Sequence, residues 1–362
     1  AGQRCSALRV LYVQEDIAPK LLKMLQGAMN LLVVGDPANI TTDIGPVIDA
    51  DARDKIDAHI RAAEQDGRLL KQIKAPQAGT FVGPALIRVD GMEDIAEEIF
   101  GPVLHVATFK GNQLAAVVAA INAKGFGLTF GLHTRIDDRV QTIVDSIKCG
   151  NIYINRNQIG AVVASQPFGG EGLSGTGPKA GGPHYLQRFA RSKPAVVAGS
   201  AEPAETLDFA KVQSALKSIR YEPQLLEITD MAGPTGESNR LSSFSRGVIL
   251  CLGPTSEAAL KQARLAAGFG CASMVIAPGL RGADTLDGML NPDDLTKLSG
   301  FDGVAAWADD TLLRQIRIAL ARREGAILPL ISNQDFSPCV LERHVCIDTT
   351  AAGGNASLLA AA

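Results

Sequence analysis

Short apolar segments of strand type alternate with segments of helical periodicity along most of the chain. Residues 8–13 (LRVLYV) are rich in Leu and Val, as in a buried strand. Residues 17–32 repeat apolar side chains at helical spacing, and Pro19 lies in their first turn. Residues 50–67 predict a polar-faced helix that turns Ile56, Ile60 and Ala63 inward. Alternation of this kind predicts an α/β fold with parallel strands.

The same alternation starts again in the second half of the chain. Residues 247–253 (GVILCLG) predict a strand and residues 256–268 an Ala-rich helix, and Asp310 is placed to cap a later helix. Since 362 residues suffice for about two domains, we expect four segments. They are a first α/β domain at 1–195, a connector with an internal helix at 196–240, a second α/β domain at 241–348 and a small-residue tail at 349–362. We expect this tail to pack on the first domain or on a partner subunit.

Composition excludes several classes of partner. The net charge of −3 favours neither nucleic acid nor an anionic membrane surface. No apolar run approaches the roughly 18 residues of a membrane span, and we find no signal peptide. The six cysteines lie far apart, without a C-x-x-C motif or metal-ligand spacing with histidine. This pattern predicts reduced thiols in a cytoplasmic protein, with no disulfide framework and no metal site.

Three motifs follow one another in a recognisable order. Residues 1–6 (AGQRCS) precede the first strand, residues 97–104 read EEIFGPVL, and residues 166–189 read QPFGGEGLSGTGPKAGGPHYLQRF. Together they resemble the aldehyde dehydrogenase superfamily. Residues 159–177 and 349–358 are more specifically similar to the glutamate-semialdehyde (pyrroline-5-carboxylate) dehydrogenase half of the bifunctional proline utilization A family, in its long form.

The resemblance implies a fold and a reaction. The fold is an aldehyde dehydrogenase catalytic domain with a parallel-rich αβα sheet, followed by a Rossmann-like α/β domain that does not bind NAD. Oxidation of an aldehyde by hydride transfer requires a tetrahedral adduct, which a thiolate can form before it carries the acyl group as a thioester. Cys5 is the candidate nucleophile, and its backbone N–H can stabilise the oxyanion. The cofactor implied is NAD, with Glu98 on the nicotinamide ribose and Phe100 packed beside it.

The implied substrate, glutamate semialdehyde, also presents a carboxylate to be recognised. The resemblance places Ser6 and the Gly160-Ala161 loop at this anchor, since backbone N–H groups bind a carboxylate without a full positive charge. Some relatives carry Ser where this chain has Ala161, so one hydroxyl is absent here. Phe168 would enclose the aliphatic middle of the substrate.

One literal motif match carries no function. Residues 170–175 fit G-x-G-x-x-G, but a dinucleotide fingerprint needs a strand before it and a helix that opens inside it. Here Gln-Pro-Phe-Gly precedes the motif and Gly177-Pro178 follows closely. This context predicts an irregular loop.

The resemblance also implies that parts of the enzyme precede residue 1. These are the NAD-binding domain, the general-base Glu, the oxyanion-hole Asn and a proline dehydrogenase half, in which FAD is expected. We therefore expect this chain to be inactive alone, to act with the missing N-terminal part and to form a homo-oligomer.

Three alternatives remain open. The chain could be a non-catalytic tunnel or assembly module, or it could serve another acidic semialdehyde. A cysteine hydrolase or acyltransferase needs a histidine base, and none of the five histidines shows a recognisable pairing with Cys5.

Overall fold

The computed structural model describes residues 1–175, 177–190 and 204–350. The helices of this part are α1 Ala18–Met29, α2 Ala50–Gln65, α3 Leu114–Lys124, α4 Asp137–Ser146, α5 Phe209–Ser218, α6 Ser256–Ala267 and α7 Asp310–Ala321. The strands are β1 Val10–Gln14, β2 Leu69–Gln72, β3 Ala85–Arg88, β4 Val103–Phe109, β5 Phe126–Gly127, β6 Thr129–Leu132, β7 Asn151–Ile154, β8 Glu171–Gly172, β9 Leu225–Met231, β10 Glu237–Ser245, β11 Val248–Leu252, β12 Ala272–Ala277, β13 Thr285–Asp287, β14 Gly303–Ala306, β15 Leu330–Ile331 and β16 Val340–Asp348. The α/β class is thus confirmed.

Backbone contacts divide the chain into two compact units. The first unit comprises residues 1–124, 145–147 and 158–160, and the second comprises the remainder. The expected connector contains α5, β9 and the start of β10. Residues 351–362 of the expected tail, and its packing, lie outside the described residues. The bounds of the four expected segments stay a prediction.

The first unit is built on a four-stranded sheet in the order β1-β4-β3-β2. Strands β1, β4 and β3 run parallel, and β2 pairs antiparallel with β3. Helix α2 begins at Asp49, whose side chain accepts a hydrogen bond from the Ala52 N–H. Its buried face carries Ile56, Ile60 and Ala63, as the periodicity predicted, and packs in one apolar cluster with strand β3.

The second unit contains a mixed five-stranded sheet in the order β6-β7-β16-β10-β9. Strand β16 lies in its centre, parallel to β7 on one side and antiparallel to β10 on the other. Residues 340–348 therefore complete a sheet that begins with residues 129–132 and 151–154. A short antiparallel pair of β5 and β8 lies apart from it.

A third sheet, in the order β13-β12-β11-β14-β15, is parallel throughout. Buried side chains of α7 share an apolar cluster with one face of this sheet, and Ala259 and Ala266 of α6 share a cluster with the other face. Helices therefore cover both faces, as in a doubly wound sheet. Helix α7 is capped by Asp309, whose carboxylate accepts from the Leu312 N–H at 2.8 Å, and not by Asp310 as the sequence suggested.

In the part of the chain that the structure describes, no helix has the length and apolar character needed to cross a membrane.

The third sheet depends on its central strand. We expect Leu250→Ala to lower the free energy of unfolding by about 2–5 kcal/mol, because the fully buried Leu250 would leave a cavity between sheet and helix. Leu260→Ala, on the exposed side of α6, should change it by only about 0.5 kcal/mol. Denaturant unfolding of both variants measures the difference, and equal losses would contradict the assigned core.

Candidate active site

Cys5 and Ser6 occupy the middle of a tight turn that precedes β1. The Ala7 N–H donates to the Arg4 carbonyl at 3.1 Å and closes the turn. Cys5 is exposed at its tip, whereas Ser6 is 6% exposed. Gln158 Nε2 donates to the Ser6 carbonyl at 3.3 Å, so the segment that ends at Gly160 contacts this turn. The other five cysteines are all buried, which leaves Cys5 as the accessible thiol of this chain.

Gly2 and Gln3, which precede the Cys5 turn, lie against the segment that carries Glu98 and Phe100. Gly2 has a φ of +69°, and a Cβ on it would meet the Gly101 carbonyl oxygen at 2.4 Å. A residue without a side chain is required here both by conformation and by this close approach. The structure thus brings the predicted nucleophile and the predicted cofactor residues together within the first unit.

Glu98 and Phe100 present a carboxylate and an aromatic ring on the surface of the same segment. Both side chains are 42% exposed. Glu98 Oε1 accepts a hydrogen bond from Arg9 Nε at 2.9 Å, and the Arg9 guanidinium lies 4.7 Å from the centre of the Phe100 ring. Within the described residues, Oε2 of Glu98 has no hydrogen-bond partner and can accept another donor.

The histidines of the first unit pair with each other. His59 Nε2 and His105 Nε2 lie 2.9 Å apart, and His105 Nδ1 lies 3.1 Å from the Arg9 carbonyl. Burial lowers the pKa of His105 to about 4, so its ring is neutral at physiological pH. Among the described residues, no hydrogen bond joins Cys5 to a histidine. The arrangement therefore gives no support to a cysteine–histidine hydrolase.

The remaining predicted site residues extend along a loop. Gly160 has a φ of +83° with open space beside it. Ala161 and Phe168 belong to the second unit. Phe168 exchanges two backbone hydrogen bonds of 2.9 Å with Ala180. Residues 170–175 form β8 and turns, and no helix opens among them, in agreement with the rejection of a dinucleotide cradle.

Asn151 holds both neighbours of Phe168, a role that sequence reasoning missed. Its Nδ2 donates to the Pro167 carbonyl at 2.8 Å, and its Oδ1 accepts from the Gly169 N–H at 3.0 Å. The buried Lys179 ammonium donates to the same Oδ1 at 3.1 Å and to the Gly169 carbonyl. Burial lowers the pKa of Lys179 to about 8. Asn151 is the first residue of a fully buried strand. A polar residue in this apolar strand was the only sequence signal for its supporting role.

Two charged residues of strand β16 bind the segment that follows Phe168. Glu342 accepts from the Lys179 backbone N–H at 2.7 Å, and its carboxylate lies 2.6 Å from His184 Nδ1. Arg343 binds both carboxylate oxygens of Glu171, at 2.9 and 3.0 Å. Bidentate pairs of this kind fix geometry as well as charge. Charged residues inside a predicted strand were the sequence signal that pointed to such partners.

No metal site competes with this interpretation. Within residues 1–175, 177–190 and 204–350, no group of three or more His, Cys, Asp or Glu side chains is placed to hold a metal ion.

Comparison with known proteins gives the family. The model of the aldehyde dehydrogenase family matches residues 1–195, more than half of the chain. The chain therefore belongs to the aldehyde dehydrogenase family.

Individual relatives show which members of the family this chain is similar to. The bifunctional protein PutA of Salmonella typhimurium is 39% identical over 99% of this chain, and the PutA protein of Rhizobium meliloti is 38% identical over 99%. The chain spans only 31% and 32% of those proteins, about a third of their length. A crystal structure of a proline utilization A mutant from Bradyrhizobium japonicum is 52% identical, with a TM-score of 0.52; the match covers 53% of this chain and 20% of that one.

The support of Phe168 by Asn151 can be tested directly. In Asn151→Ala, the Gly169 N–H, the Pro167 carbonyl and the Lys179 ammonium each lose a buried partner, which costs about 1–3 kcal/mol locally. Hydrogen exchange at the Gly169 amide should accelerate accordingly. Asn39→Ala, at an exposed site, is the control and should leave that amide unchanged. Unaltered protection of Gly169 in Asn151→Ala would contradict the assigned support.

Proposed function

We propose that this chain is the catalytic part of an NAD-dependent L-glutamate γ-semialdehyde dehydrogenase that acts in proline catabolism. The observation that carries the proposal is that Arg9 binds both the Arg4 carbonyl, next to the exposed Cys5, and the Glu98 carboxylate, at 2.9 Å each. The relatives support the substrate class: a protein of Bacillus cereus named 1-pyrroline-5-carboxylate dehydrogenase is 36% identical over 53% of this chain and 38% of its own length.

Cys5 would supply the covalent chemistry. Its thiolate attacks the aldehyde carbon and forms a C–S bond, while its own backbone N–H can donate to the oxygen that becomes negative. After oxidation the same sulfur carries the acyl group as a thioester. Water then adds to the acyl carbon, the C–S bond breaks, and the carboxylate product and the thiol are released.

The exposed surface of Glu98 and Phe100 fits part of a nicotinamide nucleotide. Oε2 of Glu98 is available for a ribose hydroxyl, and Phe100 offers an apolar face beside it. When bound, NAD supplies the acceptor for the hydride of the aldehyde carbon. The general base and the remainder of the nucleotide site are not assigned to residues of this chain.

The substrate carboxylate would be bound by the Ser6 hydroxyl and by the backbone N–H group of Gly160, which both belong to the first unit. Gly160 suits this role because no side chain blocks its backbone and open space adjoins it. Phe168, which lies in the second unit, stays a substrate contact that only the family resemblance implies.

The parallel sheet of residues 248–331 would be a Rossmann-like domain without a nucleotide. A Cβ on Gly253 would lie 2.3 Å from the backbone nitrogen of Ala259, so helix α6 itself fills the space beside this glycine. Thr255 Oγ1 accepts from the Ala258 N–H at 3.3 Å, which already satisfies one donor of the first helical turn. Both features support a structural role for this sheet.

The assignment of Cys5 is tested by Cys5→Ser in the full-length protein. Aldehyde oxidation should fall to below a few per cent, because a serine hydroxyl is a far weaker nucleophile at neutral pH, while NAD affinity should persist. Steady-state kinetics and a titration with NAD give the two measurements. Substantial remaining activity would refute the proposed function.

The carboxylate anchor is tested by Ser6→Ala. The specificity constant for glutamate semialdehyde should fall by about ten- to a hundredfold, since a hydrogen bond to a charged group is worth roughly 1.5–3 kcal/mol. Simple alkyl aldehydes lack the carboxylate and should lose much less. An equal loss for both substrates would show that Ser6 supports Cys5 and does not bind the carboxylate.

A further inference from the structure

We propose that Arg9 is a positioning residue that clamps the Cys5 turn to the segment of Glu98 and Phe100 and thereby sets the spacing between nucleophile and cofactor. This inference rests on the proposed function. Arg9 touches neither the reacting thiol nor, in our assignment, the substrate. Its effect passes through the backbone of the turn and through the Glu98 carboxylate.

One guanidinium group serves acceptors on two segments. On the side of the nucleophile, Arg9 donates to the Gly2 carbonyl at 2.8 Å and to the Arg4 carbonyl at 2.9 Å. Gly2 and Arg4 lie within three residues of Cys5, and Arg4 is also the acceptor that closes the turn. Charge-assisted hydrogen bonds from the Arg9 side chain therefore hold the backbone of the segment that carries the nucleophile.

The same group binds the predicted cofactor segment. Arg9 Nε donates to Glu98 Oε1 at 2.9 Å, one terminal nitrogen donates to the Gly101 carbonyl at 3.3 Å, and the guanidinium plane faces the Phe100 ring at 4.7 Å. The ion pair leaves Oε2 of Glu98 free for a ribose hydroxyl and restricts the rotation of the carboxylate. Phe100 is oriented by the cation that lies over its face.

The clamp is anchored in the sheet of the first unit. The Arg9 carbonyl accepts from the His105 N–H at 3.0 Å, where β1 and β4 begin to pair. The side chain of Arg9 is only 17% exposed, whereas that of its partner Glu98 is 42% exposed. Gly2 and Gly101 are in close backbone contact, since a Cβ on Gly2 would meet the Gly101 carbonyl oxygen at 2.4 Å.

A lysine cannot replace this group. The guanidinium offers five N–H donors in a planar fork, which serve four separate acceptors here and leave a face for Phe100. An ammonium has three donors around a single point and could hold Glu98 while it releases the Gly2 and Arg4 carbonyls. Arg9→Lys therefore keeps the charge and removes the clamp.

The test compares Arg9→Lys, Glu98→Gln and Arg53→Lys in the full-length protein. Arg53 is a control in the same unit, since it pairs with the exposed neighbour Asp54. For Arg9→Lys we expect the KM for NAD to rise and kcat to fall, each by about tenfold, because saturating NAD cannot restore the spacing. Glu98→Gln should mainly raise the KM for NAD, and Arg53→Lys should match the wild type. Unchanged kinetics in Arg9→Lys, or a change in KM alone, would overturn the clamp.

A second readout needs neither NAD nor turnover. Alkylation of Cys5 by iodoacetamide, followed by mass spectrometry of its peptide, reports on the turn, since Cys5 is the exposed cysteine of this chain. The rate should be highest in Arg9→Lys, where the turn loses two hydrogen bonds. It should be intermediate in Glu98→Gln, where a neutral amide oxygen accepts a weaker hydrogen bond from Arg9, and equal to the wild type in Arg53→Lys.

This readout separates the clamp from the proposed function. If Arg9→Lys does not fold, Glu98→Gln alone decides, because it alters an exposed side chain: a wild-type alkylation rate would overturn the clamp. Activity of Cys5→Ser would refute the proposed function, whereas a graded alkylation rate would still support the clamp.

Discussion

The central position of β16 is the constraint on which the second unit depends. This strand pairs over nine residues with β10 and over four with β7. Residues 340–348 therefore lie inside a sheet whose other strands come from both halves of the chain. Pairings between residues so far apart in sequence carry a large loop-closure cost, which the burial of a continuous sheet must offset. Loss of β16 would leave β7 and β10 without the strand that joins them.

The charged side chains of β16 fix the conformation of their partner segment more than they raise the free energy of unfolding. Glu342 and Arg343 lie next to each other in a strand, so they point to opposite faces of the sheet. Each nevertheless finds a partner in residues 171–184, where Arg343 binds Glu171 and Glu342 lies beside His184. Buried ion pairs contribute little net free energy after desolvation, but their loss leaves uncompensated charges. We interpret them as the reason why a glycine-rich loop can hold one conformation around Phe168.

The two α/β sheets differ in what lies at the ends of their strands. In the first unit, β1 directly follows the turn that presents Cys5, and the glycines around this turn allow a close backbone approach. In the parallel sheet of residues 248–331, the glycine after β11 faces the helix and not an open site. The fold alone therefore does not determine function, which depends on what occupies the space at the strand ends.

Local patterns were sufficient to predict the α/β class and the inward face of α2, because periodicity is encoded within a few residues. The roles of Cys5, Glu98 and Phe168 stay predictions that rest on the family resemblance. The strand β9 escaped prediction, since its seven residues are mostly exposed and lack apolar alternation. Only the tertiary structure decided that Asn151 supports the Phe168 loop and that Arg343 binds Glu171, 172 residues away. Such partners depend on the register between distant strands, and a one-residue shift would turn these side chains to the opposite face of the sheet.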